Sequence, residues 1–127
     1  MPSAETLERF IARVCENAHA EAIEEFYAEN ASMRENMGAP RVGRDTLAAN
    51  ERRVLARAKS VTSTCVRPVL VSGPIVVVRW VFEFEWNDGR RTRIEELAYQ
   101  RWDDERIVEE QFFYDPAQLV PATPSAS

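Results

Sequence analysis

The chain has 127 residues and a formal net charge of −5, with 16 basic and 21 acidic side chains. This length suits one domain with one hydrophobic core, and the acidic balance argues against a dedicated nucleic-acid binder, which is usually basic. Two cysteines and one histidine are too few for a disulfide scaffold, and a zinc site would need Asp or Glu ligands as well. No segment approaches the roughly 20 apolar residues of a membrane span, and the polar N-terminus does not read as a signal peptide. We therefore expect a cytoplasmic protein with no membrane segment, no metal site and no cofactor.

The N-terminal half predicts three helices and one short strand. Apolar residues spaced as on one helical face indicate a helix over 4–17, with Ser3 as its N-cap. The same spacing predicts a second helix from about 20 to 28, and a strand follows over 31–35. The segment GAPRVG is typical of a loop, and Asp45 can cap a third helix after it.

The C-terminal half predicts four long antiparallel strands joined mostly by hairpins. The strongest strand signal is IVVVRWVFEFEW (75–86), in which every second residue is apolar. The following NDG (87–89) is typical of a tight hairpin turn. Helices packed on one face of a strongly curved sheet make an α+β fold with a pocket between the two layers. We expect one domain over 1–120 and a disordered tail rich in Pro, Ser and Ala over 121–127.

Three stretches resemble the SnoaL-like, ketosteroid isomerase-like proteins of the nuclear transport factor 2 superfamily. They are the two N-terminal helices, the run FYAENASMRENMG that leads to GRDTL, and the closing RIVEEQFFYD. The resemblance covers roughly residues 5–118 and implies a cone-shaped, strongly curved antiparallel sheet with three helices on its concave face. It implies less about chemistry, because this fold hosts isomerases, cyclases, epoxide hydrolases and non-enzymatic binding proteins.

The resemblance also suggests which residues to compare with the family's catalytic groups. Ketosteroid isomerases carry a general-base Asp just before the loop that leads to a Gly-Arg helix start, and Glu35 holds that place here. Their two oxyanion donors correspond to Phe10 and Ala98, which have no hydrogen to donate. The Asp of epoxide hydrolases with this fold has no counterpart. The acid/base Asp of SnoaL-type cyclases is matched only by Glu96 or Glu110. Glu35 is therefore the predicted catalytic residue.

Strand alternation, set in register by the aligned isomerase Asp, predicts which side chains face the pocket. A register shift of one residue would turn Glu95 and Glu109 inward instead of their neighbours. Desolvation and mutual repulsion should raise the pKa of at least one pocket carboxyl, which would make it a competent general acid or base. Aromatic rings beside carboxylates would also suit a cationic or amphipathic ligand. The predicted lining is Met33, Met37, Trp80, Phe82, Phe84, Trp86, Glu96, Gln100, Glu110, Phe112 and Tyr114.

Glu35 has two interpretations that the sequence leaves open. As a base, it would lead cofactor-free isomerase or cyclase chemistry on a small, mainly apolar molecule. As the ion-pair partner of Arg41 or Arg44, it would brace the loop of a non-catalytic ligand-binding or dimerisation domain. Whether the chain is an enzyme stays open as well.

The outward-facing positions of the predicted sheet carry apolar side chains among charged ones. They are Val77, Val81, Leu97, Tyr99 and Phe113. Because an apolar patch on a small domain is typical of a protein interface, we expect a two-fold homodimer through this face.

His19 is the only histidine and falls in the break between the first two predicted helices. We expect it in a surface turn, far from the pocket. No Gly-x-Ser-x-Gly motif occurs, and no Ser-His-Asp or Cys-His arrangement is evident.

Overall fold

The computed structural model describes residues 1–120, so the predicted tail over 121–127 lies outside the described residues. Among the described residues, no helix has the length and apolar character needed to cross a membrane. The elements in chain order are α1 (Ala4–Cys15), α2 (His19–Phe26), β1 (Tyr27–Glu35), β2 (Arg41–Val42), α3 (Arg44–Ala56), β3 (Ala58–Ser72), β4 (Ile75–Trp86), β5 (Arg91–Asp103), β6 (Arg106–Phe113) and a 3₁₀ turn (Pro116–Leu119).

The six strands form one curved, mixed sheet in the order β2-β1-β6-β5-β4-β3. The four long strands β3 to β6 pair antiparallel, as predicted, because tight turns join them. The parallel pair is β1 with β6, which lie far apart in the chain. In this register Trp80 of β4 lies opposite Glu96 of β5, and Gln100 of β5 lies opposite Glu110 of β6.

The three helices pack on one face of the sheet and bury a single core. Helix α1 contributes an apolar stripe that includes Phe10, which contacts the rings of Phe26, Tyr27 and Trp102. Edge-to-face and tilted contacts between aromatic rings add to the stability gained from burial. The predicted α+β fold, with helices covering one face of a curved sheet, is confirmed.

Two local predictions need correction. Asp45 does not cap α3, because Gly43 holds the N-cap position at φ +104° and no side chain bonds the first turn. Asp45 lies inside that first turn, where its charge suits the positive end of the helix. The first strand starts earlier than predicted, at Tyr27, because this residue pairs with Ile107 of β6.

Candidate functional site

A cavity of about 670 Å³ lies between the helices and the concave face of the sheet. One wall is a row of four aromatic side chains on β4, the aromatic ladder, made of Trp80, Phe82, Phe84 and Trp86. Alternate residues of a strand point to the same face, so the ladder follows from the sequence pattern. Trp80 stacks on Phe82 with ring centroids 5.5 Å apart, and Phe84 stacks on Trp86 at 4.8 Å.

The deepest carboxyl group of the cavity belongs to Glu110, whose side chain is buried. It accepts hydrogen bonds from the Tyr27 hydroxyl and from Gln100 Nε2, the second at 2.6 Å. Gln100 Oε1 in turn accepts from Trp102 Nε1 at 3.0 Å. Burial raises the pKa of Glu110 to about 7, against the lowering effect of its two hydrogen bonds.

Glu96 lies beside Trp80 on the floor of the cavity and has no close polar partner. Within residues 1–120 its carboxyl group forms no hydrogen bond and no ion pair. Burial raises the pKa of Glu96 to about 8, and the charges of Glu110, Glu35 and Glu51 add to the rise. Glu96 is therefore mainly protonated at neutral pH and can donate a proton into the cavity.

His19 lines the cavity, so the expected surface position was wrong. It is the first residue of α2, and its Nε2 lies 2.7 Å from Ser63 Oγ, which donates to Asn17 Oδ1 at 2.8 Å. Its ring also packs against Phe82, with centroids 5.1 Å apart. Burial lowers the pKa of His19 to about 4, so the imidazole is neutral at pH 7. The spacing of His19 with Ala22, Ile23 and Phe26 is that of one helical face, and this signal could have placed it inside.

Glu51 of α3 also lines the cavity, and the sequence prediction missed it. Its Oε1 lies 3.8 Å from His19 Nδ1, and burial raises the pKa of Glu51. Its place on α3, four residues after the buried Leu47 and three before Val54, puts it on the inward face. That spacing was the available signal.

Glu35 lies at the edge of the cavity, with 48% of its side chain exposed. Its Oε2 is 3.6 Å from Arg41 Nη1, whereas Arg44 Nη1 donates to the Tyr27 carbonyl oxygen at 3.4 Å. Of the two proposed ion-pair partners, Arg41 is therefore the one in contact. Arg41 also lines the cavity, and its buried Nε has no hydrogen-bond partner among the described residues.

Two residues of the predicted lining lie elsewhere. Met37 is 76% exposed, because Asn36 adopts φ +49° and the chain turns away from the cavity after β1. Gln100 is fully buried behind Glu110 and acts on the cavity only through that carboxyl. The residues of the predicted lining that do border the cavity are Met33, Trp80, Phe82, Phe84, Trp86, Glu96, Glu110, Phe112 and Tyr114.

The neighbours of the two floor carboxyls lie on the outer face of the sheet. Glu95 pairs with Arg93 at 3.0 Å, and Glu109 pairs with Arg101 at 2.9 Å. The hydrogen bond from Arg101 lowers the pKa of Glu109. The register that turns Glu96 and Glu110 inward is therefore the one observed. Across residues 1–120, no cluster of His, Cys, Asp and Glu could hold a metal ion.

Comparisons with known proteins agree with this fold. A search of curated proteins found no match. A candidate SnoaL-like polyketide cyclase from Mesorhizobium loti is 20% identical, with a TM-score of 0.73 over 87% of this chain and 97% of its own. An LEH-like epoxide hydrolase from M. tuberculosis is 15% identical, with a TM-score of 0.73 over 90% of this chain and 83% of its own.

A protein with a ketosteroid isomerase-like fold from Catenulispora acidiphila, solved in complex with trimethylamine, is 17% identical. Its TM-score is 0.76, over 93% of this chain and 91% of its own. At these identities the solved structures establish the fold and carry no ligand or activity over to this chain. The sequence model of the SnoaL-like domain matches residues 7–110. The chain belongs to the SnoaL-like domain family, within the nuclear transport factor 2-like fold.

Proposed function

We propose that the chain binds a small, mainly apolar organic molecule in its cavity and acts on it by cofactor-free acid/base chemistry of the isomerase or cyclase type. The observation that carries the proposal is Glu96, a carboxyl group inside an aromatic cavity with no partner among residues 1–120. Such a group is costly to bury and is retained where proton transfer needs it.

Two carboxyl groups in different environments divide the roles. Glu96 is protonated at neutral pH and serves as the proton donor. Glu35 is about half exposed and faces Arg41 at the edge of the cavity, and it serves as the base. Two carboxyls in different environments are the usual arrangement for an acid and a base within one site. Glu96 lies two residues before Ala98 on the same face of β5, so it can replace the donor that Ala98 lacks.

A non-catalytic binding domain is the second candidate. The observation in its favour is the 3.6 Å contact between Glu35 and Arg41, which would brace the loop after β1 without any turnover. The two candidates share the cavity and its apolar ligand and differ only in whether a proton moves.

We also propose that the chain forms a homodimer through the outer face of the sheet. Leu97, Tyr99 and Phe113, the outer patch, are 45%, 45% and 37% exposed. Val81 is buried in the monomer and contributes less than expected. Both cysteines are free thiols, which fits a reducing, cytoplasmic location.

Deuterium exchange tests the acid/base proposal without knowledge of the natural reaction. A panel of small cyclic ketones is incubated in D₂O with wild type, Glu35→Gln, Glu96→Gln and the outer-face control Glu95→Gln, and mass spectrometry counts the incorporated deuterium. We expect exchange with wild type and the control, and rates about 10²- to 10⁴-fold lower in the two cavity variants. Binding seen by tryptophan fluorescence without exchange would favour the non-catalytic domain, and the absence of any binding would overturn the proposal.

A further inference from the structure

The cavity carries an excess of acidic side chains that the protein itself leaves uncompensated. Five acidic side chains line the cavity against three basic ones: Arg41 faces Glu35, Arg90 lies 3.6 Å from Asp88, and Arg57 also borders the cavity. The inner carboxyls of Glu51, Glu96 and Glu110 have no ion pair with Arg or Lys among the described residues. The inner half of the cavity therefore favours a positive group over a negative one.

The aromatic ladder also favours a positively charged group. Trp80 lies directly opposite Glu96 in the pairing of β4 and β5, and its ring is stacked on Phe82. The face of an indole ring attracts cations, and a desolvated site strengthens this attraction. A cation at Glu96 would therefore contact a carboxylate and an aromatic ring together.

We propose that the ligand of this cavity carries a basic nitrogen, bound as an ammonium group between Glu96 and the aromatic ladder, with an apolar body along the ladder. The inference rests on the binding part of the proposed function, because it names the ligand class of the same cavity. In the bound pair Glu96 is the counter-ion of the ammonium group, whose N–H then holds the proton to be donated. A ligand carboxylate would add negative charge beside three acidic groups. A wholly neutral, apolar ligand would leave the polar carboxyl group of Glu96 without a hydrogen-bond or charge partner inside the cavity.

The proton balance of this binding step is simple. A neutral amine takes the proton of Glu96, so that the carboxyl O–H bond breaks, an N–H bond forms and an ammonium carboxylate pair results. An amine that arrives already protonated displaces one proton from Glu96 into the solvent. At pH 7 most alkylamines are protonated, as Lys side chains are, so binding should release one proton.

The groups that face Glu96 do not obscure this signal. Glu35 of β1, Glu51 of α3 and Glu110 of β6 all disfavour a second negative charge at Glu96. Burial raises the pKa of Tyr114 and of Tyr27 above the ordinary tyrosine value, so both hydroxyls stay protonated between pH 6 and 8, where Glu96 titrates. The cation on this side of the cavity is Arg41 of β2, and His19 of α2 stays neutral above about pH 5, because burial lowers its pKa to about 4. Glu110, with its pKa near 7, titrates in the same range and would steepen the dependence in the same direction.

A matched ligand series tests the inference with the intact chain. The probes are 4-phenylbutylamine, its N,N,N-trimethyl analogue, 4-phenylbutanol and 4-phenylbutanoate, and titration calorimetry gives the affinity of each from pH 6 to 10. We expect the amine to bind at least about tenfold more tightly than the alcohol and the carboxylate not to bind. Between pH 6 and 7 the amine affinity should rise about tenfold, because one proton leaves Glu96. Above pH 8 the trimethyl analogue should reach a plateau.

Variants assign the effect to Glu96. Glu96→Gln should abolish the preference for the amine and leave only the weaker pH dependence that Glu110 contributes, and the outer-face control Glu95→Gln should retain the preference and the full pH dependence. The inference is overturned if the alcohol binds as tightly as the amine, or if Glu96→Gln keeps the preference. In either case, ketone exchange that still depends on Glu96 would leave the proposed function standing. Failure of every probe and every ketone to bind would overturn both.

Discussion

Glutamates on the outer and inner faces of β5 and β6 have opposite environments. Glu95 and Glu109 point outward, where each meets an arginine in solvent. Glu96 and Glu110 follow them directly in the chain but point into the cavity, and burial raises the pKa of Glu96 to about 8 and of Glu110 to about 7. A step of one residue along a strand therefore separates a solvated surface charge from a proton donor.

The two faces differ in how many polar partners each carboxyl has, as well as in burial. Exposed ion pairs on the outer face contribute little to stability, because water already solvates both partners. On the inner face, Glu110 receives two hydrogen bonds and Glu96 receives none within residues 1–120. The less compensated of the two carboxyls has the higher pKa. Predictions that contrast the two faces therefore test the site directly.

The largest expected effect is on the pH dependence of stability. Because the pKa of Glu96 is raised in the folded state, its contribution is fully present below about pH 4.5 and is lost as the pH rises through about 8. Glu96→Gln should remove this loss and leave the protein roughly 3–5 kcal/mol more stable than wild type at pH 9, with little change at pH 4. Urea denaturation across this range measures it. Glu95→Gln should stay within about 0.5 kcal/mol of wild type, and equal behaviour of the two variants would contradict the assigned faces.

The stability contribution of His19, a buried base on the helical side of the cavity, should depend on pH in the opposite direction. The pKa of His19 is lowered to about 4, so its contribution is fully present above about pH 6.5 and is lost as the pH falls towards 4. His19→Gln keeps a polar group near Ser63 but cannot take up a proton. Between pH 6.5 and 4 the variant should lose roughly 2–3 kcal/mol less stability than wild type. Parallel curves for the two proteins would place the imidazole in solvent.

The outer patch offers a test of the other face. In the proposed dimer, Leu97→Glu would bury a carboxylate in the interface and should weaken association at least about 100-fold, or about 2.7 kcal/mol. Sedimentation equilibrium measures the dissociation constant. Thr92→Val, a change on the inner face of the same strand, serves as the control and should leave association unchanged. A monomeric wild type would remove the dimer from the proposal.

The sequence predicted the fold and most of the cavity floor, since strand alternation is a local property. The parity of β4, β5 and β6 places Trp80, Glu96 and Glu110 inward as expected. The roof was harder, because it depends on where the helices begin and how they pack. A start of α2 at His19 turns that side chain inward, although the break between helices suggested a surface turn.

Partner choice was the other property that the sequence left open. Arg41 and Arg44 both follow the loop after Glu35, and the pairing of β1 with β2, which puts Arg41 opposite Met33, brings Arg41 within reach of Glu35. The prediction that Met37 lines the cavity was wrong for a related reason, because the left-handed conformation of Asn36 turns the chain away from the cavity. Both outcomes depend on backbone turns that residue spacing does not encode.

The smallest expected effect concerns Glu35, which combines features of both faces. It lines the cavity like Glu96, but it is half exposed and meets an arginine like Glu95. The contact with Arg41 is at 3.6 Å and partly solvated, so Glu35→Gln should lower stability at pH 7 by only about 0.2–1 kcal/mol. Thermal unfolding of the variant beside Arg44→Gln, which changes the arginine that Glu35 does not contact, isolates the pair.

Either sign of this small change carries information about the base. A modest loss means that Arg41 holds the Glu35 carboxyl group in place, which suits a base positioned in the same cavity as the protonated Glu96. A gain in stability would mean that Glu35 lowers the stability of the fold, as catalytic groups often do. A loss well above 1 kcal/mol, with ketone exchange intact in the variant, would instead make Glu35 a structural residue. The base would then be another carboxyl of the cavity, and Glu51, which lies 3.8 Å from His19, would be the next candidate.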